Sequence, residues 1–106
     1  MRVVLWRRRD RTRSDAPEEA CTHLAAAAAA DDPAPLTPDG CQECLRLGEQ
    51  AWAHLRMCLT CGHIGCCDSS PHRHATAHHH ATGHPVMRSF EPGESWRWCY
   101  VDEVVG

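Results

Sequence analysis

The sequence predicts a small α+β domain whose stability does not come from a large apolar core. At 106 residues one domain is the default. Its hydrophobic fraction of 42% overstates the core, because alanine and cysteine supply much of it, and the chain has one Phe and one Tyr beside four Trp. Eight cysteines and nine histidines are therefore the candidates for holding the fold together. With no run of about 18 apolar residues, we expect no transmembrane helix.

Cysteines in such numbers indicate either disulfides or bound metal. The first nine residues hold four apolar residues between charges, too few for the apolar region of a secretory signal peptide. The histidines also cluster with the cysteines, which disulfides would not require. We therefore predict metal binding in a reducing cytoplasm.

The charge is unevenly distributed along the chain. Residues 1–13 carry six arginines against Asp10, whereas residues 14–106 carry five arginines against thirteen acids. An acidic body of this kind argues against a nucleic-acid-binding finger. Residues 1–19 are interpreted either as a basic arm for an acidic partner or membrane surface, or as a disordered leader. The absence of apolar periodicity favours the leader, so the domain is expected to span residues 20–106.

Two short helices are predicted. The alanine run Ala25–Ala30 extends a helix from Leu24, and Pro33 lies beyond its end. The second helix is expected over His74–Thr82, where Gly83-His84-Pro85 stops it.

Strands are predicted in three places, separated by turns. A short strand is expected around residues 52–57, and residues 86–90 alternate as a strand would. Residues 96–101 place aromatic side chains on one face of a further strand. Turns are expected at residues 38–40 and 91–94.

The strongest motif is a pair of Cys-x-x-Cys sequences, Cys41/Cys44 and Cys58/Cys61. Each places two thiolates on one side of a tight loop, where both reach one tetrahedral Zn²⁺. Redox dithiols or buried free cysteines are the alternative. Both pairs could share one ion, as in a zinc ribbon, or each could bind its own ion with downstream ligands.

The downstream candidates for the remaining ligands are Cys66, Cys67, His72, His74, His78, His79, His80 and His84. On a helix His74 and His78 share a face, whereas His79 and His80 point elsewhere and are expected in solvent. His84 lies at the helix end, where its ring can turn back to a metal. Of the adjacent Cys66 and Cys67, only one is expected to face a given ion.

A third group of ligand types lies at the two ends of the domain. Cys21 and His23 are two residues apart, and Cys99 and Asp102 are three apart. Together they form a possible Cys, His, Cys, Asp zinc shell that ties the N-terminal segment to the last strand. The alternative is that both cysteines are buried thiols and the aspartate is a surface acid.

The order of these motifs resembles that of the ubiquitin-specific-protease-type (UBP-type) zinc finger. The resemblance runs from Cys21 to about Val104 and rests on the following motifs in order: a Cys-x-His, two Cys-x-x-Cys pairs, a Cys five residues after the second pair, a His-x3-His-x5-His series ending in Gly-His-Pro, and a final Trp-Cys-Tyr. It implies a small zinc-stabilised α+β fold, a twisted antiparallel sheet with one or two short helices.

The resemblance also implies three interleaved zinc sites. The first would use Cys41, Cys44, Cys66 and His74, the second Cys58, Cys61, His78 and His84, and the third Cys21, His23 and Cys99. The family usually has cysteine where Asp102 stands, and His72 is a rival to His74 in the first site. Two or three Zn²⁺ ions are expected.

Family members capture the free C-terminal Gly-Gly tail of ubiquitin in a deep aromatic pocket. Trp98 and Tyr100 match its walls, although both could equally pack in the core. Asp68 stands where the family has an arginine that meets the tail, and it would repel a tail carboxylate. Arg56 stands where a pocket tryptophan is common and would serve as a displaced anion anchor.

The resulting hypothesis is a stand-alone, bacterial-like, monomeric and non-catalytic zinc module. Its expected partner is the C-terminal tail of ubiquitin, of a ubiquitin-like modifier or of another peptide, with no nucleic acid or membrane. The alternatives are a zinc hydrolase or deaminase with an open third site, and a nucleic-acid-binding finger. The chain has no His-Glu-x-x-His, and no His-x-Glu followed by Pro-Cys-x-x-Cys, which disfavours the enzyme.

Overall fold

A computed structural model of the chain describes residues 21–106. The predicted N-terminal tail, residues 1–19, lies outside the described residues. Within residues 21–106 there are three helices and five strands. The helices are α1 (Thr22–Ala29), α2 (Gln42–Leu47) and α3 (His74–Thr82), and the strands are β1 (Leu55–Cys58), β2 (Ile64–Cys66), β3 (Val86–Ser89), β4 (Arg97–Cys99) and β5 (Val104–Val105).

The five strands form one sheet in the order β2-β1-β3-β4-β5, and every neighbouring pair is antiparallel. Strand β1 lies between β2 and β3, since Met57 pairs with Ile64 on β2 and with Arg88 on β3. The predicted α+β class and antiparallel sheet are confirmed.

Helices cover both faces of the sheet. On one face, Leu55 and Met57 pack in a cluster with Cys41 and Cys44, which lie at the start of α2. Helix α3 packs on the opposite face, close to β2. Gly65 of β2 permits this approach, because a Cβ there would lie 2.6 Å from the backbone nitrogen of Ala75, in α3.

The apolar interior is small. Cysteines make up more than half of the buried hydrophobic residues among residues 21–106, and Ile64 is the largest side chain that is fully buried there. A second small cluster packs Val86 between Cys21 and Cys99. Interior thiols thus occupy the positions that leucine and phenylalanine would fill in a larger domain.

Most predicted elements are present with adjusted bounds. Helix α3 has the predicted bounds, α1 begins earlier at Thr22, and the three predicted strands are shorter than expected. The short elements α2, β2 and β5 were not predicted. None of the helices in residues 21–106 has the length and apolar character needed to cross a bilayer.

Candidate functional site

Site A comprises Cys41, Cys44, Cys66 and His74, which come from α2, β2 and α3. The Nδ1 atom of His74 lies 3.2, 3.4 and 3.5 Å from the Sγ atoms of the three cysteines in that order. The Sγ atoms of Cys44 and Cys66 are 3.9 Å apart. All three cysteines are buried.

Site B comprises Cys58, Cys61, His78 and His84. Cys58 ends β1, His78 lies one turn after the site A histidine on α3, and His84 follows that helix. Cys58 Sγ lies 3.4 Å from Nδ1 of His84, and Cys61 Sγ lies 3.5 Å from Nε2 of His78. One helix thus contributes donors to two neighbouring sites.

Site C comprises Cys21, His23, Cys99 and Asp102. Nδ1 of His23 lies 3.6 Å from Cys99 Sγ and 3.2 Å from Oδ2 of Asp102. Both cysteines are buried, whereas the side chains of His23 and Asp102 are 37% and 34% exposed. This cluster joins the start of α1 to the last turn of the chain.

The donor spacing fits tetrahedral zinc. Within each of these clusters in residues 21–106 the four donor atoms lie within 4.8 Å of one another. Zinc bonds of about 2.3 Å to sulfur and about 2.0 Å to nitrogen give tetrahedron edges of about 3.4–3.8 Å. The donor distances given above scatter around those edges, and the four donors in each cluster are of types that zinc accepts.

The geometry also groups the candidate donors that spacing left ungrouped, while their binding to zinc stays a prediction. The two Cys-x-x-Cys pairs lie in different clusters, so a shared ion does not fit. His74, and not His72, faces the site A thiols, while Nε2 of His72 lies 2.5 Å from Oε1 of Glu49. Cys66 contributes to site A, whereas Cys67 belongs to none of the clusters in the described residues.

The pKa values describe two of the donor side chains without metal. Burial, together with the neighbouring thiols of Cys41 and Cys66, raises the pKa of Cys44 to about 12. Burial also lowers the pKa of His78 to about 4, with contributions from His63 and His84 nearby, so this imidazole is neutral at pH 7. Zinc must therefore displace the proton of Cys44, while His78 already has a free lone pair to offer.

A buried histidine that sequence reasoning missed lies between sites A and B. The side chain of His63 is 5% exposed, and its Nε2 lies 2.8 Å from both carboxylate oxygens of Glu43. Its ring stacks on that of His78, with centroids 4.0 Å apart and planes at 3°. The available signal was its place between Cys61 and Cys66, inside the ligand-bearing segment.

An aromatic pocket of about 490 Å³ opens beside α3. The Cζ atom of Arg56 lies 4.6 Å from the centroid of the Trp96 ring. The rings of Trp98 and Tyr100 meet edge-on, with centroids 6.5 Å apart and planes at 86°. The His79 ring stacks on the Tyr100 ring, with centroids 4.5 Å apart and planes at 9°. The prediction that His79 lies in solvent was wrong, because this stacking leaves it half-buried. The pocket is lined by Arg56, Cys67, Asp68, Ser69, Thr76, His79, His80, Met87, Trp96, Trp98, Tyr100 and Glu103.

The pocket carries charges of both signs. Asp68 accepts a 2.6 Å hydrogen bond from Oγ1 of Thr76. The same Thr76 oxygen lies 3.4 Å from the hydroxyl of Tyr100. Burial raises the pKa of Tyr100, so its hydroxyl is neutral at pH 7. Arg56 supplies positive charge in the same pocket. The three residues predicted to bind peptide (Arg56, Trp98 and Tyr100) thus line one cavity.

Comparison with known proteins places the chain in a family. A model of the zinc finger found in ubiquitin hydrolases and other proteins (zf-UBP) matches residues 41–104. The chain belongs to this family. Among solved structures, the solution NMR structure of protein RPA1320 from Rhodopseudomonas palustris is 54% identical, with a TM-score of 0.70 over 80% of this chain and 78% of that one. None of the curated proteins matches.

As a UBP-type zinc finger, the chain is a zinc-binding domain, and its clusters provide for two or three zinc ions. The matched range contains all of sites A and B. It also contains Cys99 and Asp102, whereas Cys21 and His23 lie before it. Site C is therefore the one cluster in the described residues whose donors extend beyond the family match.

Asp102→Ala is expected to remove the third zinc ion and leave two. Loss of an outer-shell partner already weakens metal binding about 10–100-fold, so loss of a direct ligand should weaken site C at least as much. Elemental analysis of the purified variant measures this. The control is Asp31→Ala, which removes an exposed acid outside the clusters. Three tightly held ions in the Asp102 variant would show that its carboxylate is not a ligand.

Proposed function

We propose that the UBP-type finger is a non-catalytic, monomeric, cytoplasmic module that binds a protein tail or short peptide in its aromatic pocket. In this proposal zinc is structural, and the donors of sites A, B and C are its ligands. The observation that carries the proposal is the shared cavity of Arg56, Trp98 and Tyr100.

The complete donor sets support a structural role for zinc. Catalytic zinc has three protein ligands and keeps its fourth position for water. Each cluster here offers four donors within 4.8 Å of one another. At site C, where the hydrolase alternative would need an open position, Oδ2 of Asp102 lies 3.2 Å from His23 Nδ1 and supplies the fourth donor.

The size and lining of the pocket support a peptide ligand. Its volume falls in the range of about 300–1,000 Å³ typical of ligand sites, which combine apolar walls with a few polar groups. Trp96, Trp98 and Tyr100 supply apolar walls, and an extended peptide could enter between them and α3. The acidic composition of residues 14–106 is unfavourable for nucleic acid or an anionic membrane surface.

The distribution of charge in the pocket bears on the kind of peptide. Asp68 would repel a carboxylate that approached α3 beside Thr76, where its own carboxylate is held. Arg56, held over Trp96, could accept an anion elsewhere in the cavity. A free Gly-Gly tail is therefore expected to be a weak ligand of the natural chain.

Asp68→Arg is expected to strengthen binding of a peptide that ends in a free Gly-Gly carboxylate by about 10–100-fold. The change replaces repulsion with a charge-assisted hydrogen bond, which typically contributes about 1.5–3 kcal/mol. Calorimetric titration measures the affinity.

Two controls isolate the pocket and the carboxylate. The same peptide with an amidated C-terminus should not gain from Asp68→Arg, and Asp31→Arg, an equal charge change outside the pocket lining, should leave both peptides unaffected. Trp98→Ala should abolish binding of the Gly-Gly peptide. Tight binding of the free carboxylate by the natural chain would contradict the role given to Asp68.

A further inference from the structure

The pair formed by the half-buried Glu43 and the buried His63 connects two of the clusters. Glu43 lies between the site A donors Cys41 and Cys44 on the first turn of α2. Both of its carboxylate oxygens lie 2.8 Å from Nε2 of His63. The His63 ring also stacks on the ring of the site B donor His78, with ring centroids 4.0 Å apart and ring planes at 3°. A continuous set of contacts therefore runs from the site A loop to a site B donor.

The backbone and surroundings of His63 hold this connection in place. Its carbonyl oxygen accepts a 2.8 Å hydrogen bond from the nitrogen of Cys58, another site B donor. A Cβ on Gly65 would lie 2.9 Å from the Cε1 atom of His63, so the ring fits closely against β2. The imidazole cannot shift far without disturbing the stack on His78.

We propose that the Glu43–His63 pair couples zinc binding at site A to zinc binding at site B. Zinc at site A orders the loop that positions Glu43, Glu43 orients the His63 ring, and that ring holds His78 in its ligating orientation. Partners of this kind commonly change metal affinity about 10–100-fold. Site C, which none of these contacts reaches, should keep its affinity when the contacts are broken. The inference rests on the ligand sets proposed above.

The experiment titrates the full metal-free chain with ¹¹³Cd²⁺ and follows each site by ¹¹³Cd NMR. The proposed sites differ in their donors: three thiolates at site A, two thiolates with two imidazoles at B, and a carboxylate at C. Because the cadmium resonance depends on the number and type of donors, each site should have its own signal. In the natural chain the signals of A and B should rise together.

Two substitutions break the connection independently. His63→Phe keeps an aromatic ring for His78 but loses the bond to Glu43, and Glu43→Ala removes the acceptor. In both variants site B should fill only after site A, and its affinity for cadmium should be about tenfold weaker. The double variant should bind cadmium at site B no more weakly than either single variant. Glu43 is 32% exposed, so its substitution tests the proposal even if the His63 variant does not fold.

The chain offers a matched control in a second Glu–His pair. His72 contacts Glu49, and the ring of His72 stacks on that of His74 with centroids 5.1 Å apart and planes at 14°. Unlike His63, both His72 and Glu49 have substantially exposed side chains. His72→Phe and Glu49→Ala should leave the joint filling of A and B unchanged. Joint filling that persists in the Glu43 and His63 variants, or an equal weakening of site C, overturns the coupling. Fewer than three signals in the natural chain would instead contradict the ligand sets.

Discussion

Removal of zinc by a strong chelator is expected to unfold residues 21–106. Ile64 is the largest fully buried side chain there, and cysteines form most of the buried hydrophobic set. A domain is typically stable by only about 5–15 kcal/mol, and a structural zinc site supplies on the order of 10 kcal/mol. Without metal, the segments that carry the buried thiols lose their common partner. Circular dichroism and the dispersion of amide NMR signals measure the loss.

Return of zinc provides the control for this experiment. Zinc added in excess of the chelator should restore the folded spectrum, whereas Mg²⁺, which prefers oxygen ligands, should not. Elemental analysis of the untreated protein should give two or three zinc ions per chain. A metal-free chain that kept its amide dispersion would show that the small apolar clusters suffice for folding.

The clustering of Cys and His residues was predictable from sequence, but spacing did not predict how they divide into three groups. Cys-x-x-Cys spacing shows that two thiolates reach one ion, because the loop is local. Which distant donors complete each shell depends on the sheet. The antiparallel pairing of β1 with β2 brings Cys66 beside the α2 donors, while Cys58 lies at the other end of β1. The family resemblance implied this interleaving; spacing alone left it open.

Helix α2 was missed although its ends carry recognisable signals. The Cys41 side chain accepts a hydrogen bond from the nitrogen of Cys44 and so caps the N-terminus, and Gly48 ends the helix with φ of 76°. The Cys-x-x-Cys sequence was interpreted only as a ligand loop. Strand β5 could not be predicted, because it has two exposed residues that pair with β4.

Some of the residues that line the cavity beside α3 were singled out from the sequence, while its role as a peptide pocket stays a prediction. Trp98 and Tyr100 were expected as possible walls, and the structure lines the same cavity with Arg56. Trp96 and His79 were not foreseen there. Their positions depend on how the chain bends into β4 and on which face α3 turns toward the sheet, and neither feature follows from local sequence.

Cys41→Ser is expected to cost at least one zinc ion and unfold much of the chain, whereas Cys67→Ser should retain both zinc and fold. Cys41 is fully buried, with its Sγ 3.2 Å from Nδ1 of His74. A serine hydroxyl stays protonated at pH 7 and is a poor zinc ligand, so site A would lose a donor that joins α2 to α3.

Cys67 is the matched comparison, because it is also buried but lies outside the clusters found in residues 21–106. Its Sγ lies 3.6 Å from the Ser70 hydroxyl, which would offer a hydrogen-bond partner to a serine hydroxyl at position 67. We therefore expect a cost of at most about 1–2 kcal/mol. Zinc content by elemental analysis and thermal unfolding separate the two variants. Equal zinc loss from both variants would contradict the placing of Cys66, and not Cys67, in site A.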